Sequence, residues 1–123
     1  MDGISRSIGI KRIYEEASAG DGCRILVDRL WPRGVSREAA AVGEWMKEIA
    51  PSPELRKWFG HVPERFPGFR ERYRAELEDD PVRQELAGRI QELAAQQPVT
   101  LLYGAKDPVH NHAALLREWL LSG

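Results

Sequence analysis

The sequence predicts an α/β domain, and three observations carry that reading. Arg24-Ile25-Leu26-Val27-Asp28 and Val99-Thr100-Leu101-Leu102-Tyr103 are short, mostly apolar runs, as strands buried on both sheet faces are. The chain between them places apolar residues at helical spacing, which suits a parallel pair joined by a right-handed crossover. The length, 123 residues with 42% apolar and 30% charged, fits one domain able to bury its own core. The architecture predicted is a small sheet of about three strands, two of them parallel by helical crossover, packed with about five helices. A single α/β domain over 1–123 is expected, with 1–7 as a flexible N-terminal tail.

Ile8-Gly9-Ile10-Lys11-Arg12-Ile13-Tyr14 alternates as a half-buried strand does, and Ala19-Gly20-Asp21-Gly22 is turn chemistry. The link between this strand and the one at 24–28 is too short for a crossover helix, so the two are expected antiparallel if they pair. Trp31-Pro32 ends the second strand. Ser36 can cap a first helix with Val42, Trp45, Met46 and Ile49 along one face. Ser52 caps a second, with Pro53 as first helical residue, Leu55, Trp58 and Phe59 as its stripe, and Gly60 as terminator. Phe66, Phe69, Tyr73 and Leu77 mark a third helix. Asp80-Pro81 opens a fourth, with Val82, Leu86, Ile90 and Leu93 inward, and Pro98 closes it. Gly104 ends the last strand. Asn111, or a residue just before it, caps a final helix carrying Leu115, Leu116, Trp119 and Leu120.

Composition narrows the function classes. No apolar stretch approaches the roughly 20 residues needed to span a bilayer, and 1–7 lacks the apolar segment of a signal peptide, so a cytoplasmic location is expected. One cysteine, Cys23, permits neither an internal disulfide nor a cysteine-based metal cluster, and it reads as a small buried hydrophobe. Net charge is −1, which argues against nucleic acid as a partner. Within that balance, 56–74 is rich in arginine and aromatics, and 76–92 is acidic. These read as solvated helix faces with ion pairs between them. A non-catalytic nucleic-acid or protein interaction module using the basic aromatic helical face 56–74 is the alternative function. Base stacking on Trp45, Trp58, Phe59, Phe66, Phe69 and Tyr73 competes with their helical spacing, which assigns them to the core.

Chemistry concentrates at two strand ends. Ligands of open α/β sheets sit beyond the carboxyl ends of parallel strands. Asp28, Arg29, Trp31 and Arg33 follow one strand; Lys106, Asp107, His110, Asn111 and His112 follow the other. If the strands are neighbours, these loops face each other. Arg29, Arg33 and Lys106, with a helix start behind them, would hold an anion, with Trp31 and Asn111 beside it. Asp28, Asp107, His110 and His112 are the acid/base candidates. Asp28 is expected to bond Arg29, Arg33 or a backbone N–H. Asp107 and Asn111 also suit plain helix capping. A metal site on Asp107, His110 and His112 is weak, because a His-x-His pair entering a helix diverges. No cofactor is called for. The predicted ligand is an anionic small molecule, phosphate-bearing or nucleotide-like, taken by an enzyme or a binding protein; the oligomeric state is left open.

The chain resembles the YeaO-like branch of the bacterial family called domain of unknown function 488. Leu26-Val27-Asp28-Arg29-Leu30-Trp31-Pro32-Arg33-Gly34, Trp45-Met46-Lys47-Glu48-Ile49-Ala50-Pro51-Ser52, Glu54-Leu55-Arg56-Lys57-Trp58-Phe59, and the stretch from Val99 through Lys106-Asp107 to Asn111-His112-Ala113 carry the resemblance over nearly the whole chain. It implies an α/β fold and supplies no reaction. Longer relatives carry cysteine and histidine after the last strand, where this chain has Lys106-Asp107 and His110-Asn111-His112, so no thiol chemistry transfers. Neither a helix-turn-helix signature nor a glycine-rich cofactor loop supports labels such as transcriptional regulator or methyltransferase.

Overall fold

A computed structural model describes residues 7–122. Among these, four strands form one sheet: β1 (Ile8–Arg12), β2 (Cys23–Leu26), β3 (Glu44–Trp45) and β4 (Val99–Tyr103). Their order is β1-β4-β2-β3, and every pairing is parallel. The α-helices are α1 (Pro53–Phe59), α2 (Phe66–Asp79), α3 (Pro81–Ala94) and α4 (His112–Ser122), supplemented by short 3-10 turns. The α/β class predicted from sequence holds, with one strand more and one α-helix fewer than expected.

β4 is central and buried along its whole length. Alternation sends Val99, Leu101 and Tyr103 into the large core shared with the helices. Leu102 faces the opposite side, where Ile13, Leu26, Ala40 and Val42 close a smaller core under the loops. As predicted, the strands at 24–28 and 99–103 are parallel neighbours, with Ile25 opposite Leu101 and Leu26 opposite Leu102.

β1 and β2 do not pair. β4 lies between them and all three run the same way, so the expected antiparallel option does not arise. The connection 13–22 crosses the sheet without an α-helix, and a polar cluster fastens it there. Asp21 accepts from Lys11 Nζ of β1 at 2.9 Å, from Arg24 Nη1 of β2 at 2.5 Å and from the Ser18 backbone N–H and hydroxyl. Its carbonyl accepts the Thr100 hydroxyl of β4 at 2.8 Å. One residue thus touches three strands. Burial pushes the Asp21 carboxyl up, but Lys11, Ser18 and Arg24 outweigh it and hold the group well below the usual range. Gly22 follows at φ +66, where a Cβ would stand 2.1 Å from the Pro98 carbonyl oxygen; only glycine fits. Ser7, assigned to the tail, accepts the Val99 N–H at 2.8 Å; residues 1–6 of that tail lie outside the described residues.

Two local expectations need correction. The helix expected after Ser36 is absent. Ser36 caps only a turn, Ala41 takes φ +52, and Glu44–Trp45 pairs with β2 before a 3-10 turn at Lys47–Ile49. Val42, Met46 and Ile49 are buried at helical spacing without a helix, because Gly43 disfavours helix and the Met46 N–H goes to Leu26 O instead. In α3 the buried positions are Arg83, Ala87, Ile90 and Ala94, while Val82 is 48% exposed. Arg83 rotates the helix inward by donating twice to Ala50 O, at 3.1 and 2.7 Å. The other elements form as read. Ser52 caps α1 through Leu55 N–H and Gly60 ends it at φ +54; Phe69, Tyr73 and Leu77 are the buried stripe of α2.

Asp21→Ala leaves Lys11 and the buried Arg24 uncompensated, and is expected to cost about 3–5 kcal/mol in urea unfolding. The wild-type contribution is complete above the ordinary value of 3.8 and fades only as pH falls through the lowered one. A variant with wild-type stability at pH 7 would show that the crossover is held by something other than Asp21.

Candidate functional site

The two strand ends meet. Val27 extends β2 by donating to Leu102 O at 3.1 Å, and Asp28 follows. Its Oδ2 accepts the Gly104 N–H at 2.9 Å, which joins the end of β2 to the end of β4. Of the partners foreseen for Asp28, the backbone N–H is the one used. A Cβ on Gly104 would stand 3.0 Å from that Oδ2 and 3.7 Å from Pro32, so a side chain there would crowd the bond. The Asp28 carbonyl accepts Trp45 Nε1–H at 2.7 Å. Asp28 Oδ1 is buried without a hydrogen-bond partner; His112 Nε2 stands 3.4 Å away. Burial raises the Asp28 carboxyl above its ordinary value, against the pull of His112, the Gly104 N–H, Arg56 and His61.

His112 opens α4. Its Nε2 lies 2.9 Å from Val27 O, and a carbonyl only accepts, so Nε2 carries a proton and donates there, while Nδ1 makes no hydrogen bond among the described residues. Tyr73 meets that ring edge-on and donates its own O–H to Ile49 O at 2.7 Å. Asp107 behaves differently from Asp28. It accepts the Val109 and His110 N–H groups at 2.9 and 3.0 Å and His110 Nδ1 at 2.8 Å. The His110 and Val109 N–H bonds hold its carboxyl down at about 2. Asn111 is buried, caps α4 through the Ala114 N–H at 2.8 Å and donates to Asp107 O at 3.0 Å.

These groups border a cavity of about 280 Å³ at the carboxyl ends of β2 and β4. Asp28, Arg29, Trp31, His110, Asn111 and His112 line it. Three other sequence candidates do not: Asp107 lies behind His110, and Arg33 and Lys106 are exposed outside the lining. Arg29 reaches Pro51 O and Ala50 O through long contacts of 3.4 Å, and Trp31 donates to Val35 O at 2.7 Å. Phe59, Phe69, Pro32 and Pro51 are buried apolar walls, while Arg56, His61, Tyr14 and Leu30 are exposed at the mouth. Sequence reasoning missed Arg56, Phe59, His61 and Phe69. The segment Glu54-Leu55-Arg56-Lys57-Trp58-Phe59 reads as a helix stripe, a family motif and part of the face 56–74, and nothing in its spacing tells which sheet end α1 packs against. Among the described residues no group of three or more His, Cys, Asp or Glu is placed to hold a metal ion. None of the helices is long and apolar enough to cross a membrane.

The profile of the "Inactive DUF488-N3 subclade" matches residues 7–123. The chain belongs to this family. It is 47% identical over 116 residues to the "Uncharacterized protein YeaO" of Escherichia coli K12, covering 94% of this chain and 98% of that protein. It is 40% identical over 116 residues to the "Uncharacterized protein Rv3073c" of Mycobacterium tuberculosis H37Rv, covering 94% of each chain. No solved structure matches at a significant level.

The raised Asp28 carboxyl sets a pH signature. Between the unfolded and the raised folded value the native state binds more protons, so stability falls as pH rises through that window. Asp28→Asn keeps an acceptor for Gly104 and removes the charge. It is expected to unfold at higher urea than wild type at pH 7, the gap closing as pH drops toward 4, near the ordinary carboxylate value. Parallel curves at both pH values would place the Asp28 carboxylate in a water-like setting.

Proposed function

We propose that this chain is a binding protein that holds a small anionic molecule in the strand-end cavity and does not turn it over. The carrying observation is the cavity itself: the Asp28 carboxylate, one oxygen of which is buried without a partner, lies in its lining, with Arg29, Arg56 and His61 along its wall and mouth. A buried unpaired acceptor costs about 1–3 kcal/mol, a cost that a ligand donor would relieve. The guanidinium groups supply bidentate contacts for phosphate or carboxylate. The description of the family as inactive supports binding over catalysis. Asn111 is spent on capping and His110 Nδ1 on Asp107, while Asp28 Oδ1, His112 Nδ1 and His110 Nε2 make no hydrogen bond among the described residues.

The helical face 56–74 is the weaker candidate. Arg72 already covers the Trp58 ring at 4.0 Å, Arg70 pairs with Glu118, and Arg74 pairs with Glu78. Phe59, Phe69 and Tyr73 are buried, Trp58 lies under Arg72 and Phe66 is half-buried against Phe59 and Phe69, so none stands exposed on the outer helical face for a nucleic-acid base.

Calorimetry with inorganic phosphate and a panel of phosphate-bearing metabolites tests the reading. Binding is expected to weaken with salt. Arg56→Ala is expected to lose about tenfold in affinity, as loss of a charge-assisted hydrogen bond does. Lys106→Ala and Arg33→Ala, outside the cavity, are expected to match wild type. No binding across the panel, or equal binding by Arg56→Ala, overturns it.

A further inference from the structure

We propose that the ligand is a nucleoside monophosphate whose heterocycle enters the cavity and whose phosphate stays at the mouth, an inference that rests on the anion-binding reading above. The cavity separates two kinds of surface. Much of its wall is apolar, made by Trp31, Pro32, Pro51, Phe59 and Phe69. Its innermost polar pair is Asp28 and His112: Asp28 Oδ1 has no partner and stands 3.4 Å from His112 Nε2, and His112 Nδ1 makes no hydrogen bond among the described residues. A sugar or polyol carries hydroxyls on every side and would leave most of them unpaired against such walls. A planar nitrogen heterocycle has apolar faces and a polar edge. Its faces fit the walls, and its ring N–H or exocyclic amine offers a donor to the Asp28 carboxylate in the lining.

Size and charge place the rest of the molecule. About 280 Å³ is at the small end of ligand pockets, which run roughly 300–1,000 Å³. It holds a ring and leaves an attached ribose phosphate outside. At that mouth stand Arg56 and His61, with Arg29 half-buried beside them. Leu30 and Tyr14 line the same mouth while 59% and 49% exposed, and an occupant would cover them. A carboxylate at the floor disfavours a ligand that enters with its phosphate first, because like charges would meet in a poorly solvated place. The orientation is therefore ring inward, phosphate outward.

The experiment compares the four common nucleoside 5′-monophosphates with ribose 5-phosphate by calorimetry. At least one nucleotide is expected to bind tenfold or more tighter than ribose 5-phosphate. Asp28→Asn, checked for fold by circular dichroism, is expected to lose about tenfold for that nucleotide with ribose 5-phosphate unchanged. Leu30→Ala, at an exposed position where folding is not at stake, is expected to weaken the nucleotide several-fold and to spare ribose 5-phosphate. Ribose 5-phosphate binding as tightly as every nucleotide overturns the heterocycle and leaves anion binding standing. Both variants binding the nucleotide like wild type also overturns it. No binding by any of these probes, with inorganic phosphate bound, removes the nucleotide class; no binding of phosphate either removes both readings.

Discussion

The carboxylate of Asp21 makes the sheet order possible. Placing β4 between β1 and β2 leaves the chain only residues 13–22 to return from the end of one outer neighbour to the start of the other. Parallel crossovers usually spend a helix on that journey, and the helix buries enough apolar surface to hold itself against the sheet. Here no helix is available, and a buried charge cluster takes its place, with Lys11, Arg24 and Thr100 drawn from three strands onto one residue. Such a cluster is a weak source of net stability but a sharp geometric constraint, because any other placement of the crossover would strand charges in the interior. Once the crossover is fixed, the long stretch between β3 and β4 is free to supply α1, α2 and α3, which cover the other face, with Arg56, Phe59 and Phe69 of α1 and α2 in the wall of the cavity.

Much of this was legible in the sequence, for reasons that can be named. The adjacency of 24–28 and 99–103 follows from apolar runs that need cover on both faces, and the caps Ser52, Asp80 and Asn111 are local chemistry that depends on little else. The segment 36–49 was not legible, because burial of Val42, Met46 and Ile49 imitates a helix stripe while the backbone of Glu44–Trp45 answers to β2. Relations among β1, β2 and β4 were hidden for the same reason: pairing is decided by partners distant in sequence. At the site, Asp28 is legible because it lies at the end of the β2 run, and His112 because it opens the helix that follows β4. Arg56 and His61 reach the cavity only through the packing angle of α1, which no local pattern encodes.

The two strand ends also show how neighbouring aspartates acquire opposite characters. Asp107 collects two backbone N–H groups and an imidazole while it remains half-exposed, so its charge is favoured and its capacity is spent. Asp28 receives one N–H, loses its water and keeps one oxygen idle. The first aspartate builds a loop. The second is left with unspent affinity, in the place where a parallel sheet opens to solvent.

Trp31 and Trp45 meet edge to face, with ring centroids 5.2 Å apart; one lines the cavity and the other donates to the backbone of Asp28. Of the four tryptophans, Trp58 lies under Arg72 and Trp119 belongs to α4. The indole pair therefore gives the cavity an optical reporter of its own. Its emission responds to the polarity and charge beside it, so an occupant that displaces water or alters Asp28 changes the colour and yield of the protein's natural fluorescence. Filling and emptying of the cavity can be followed in unlabelled protein, at concentrations far below those that calorimetry needs.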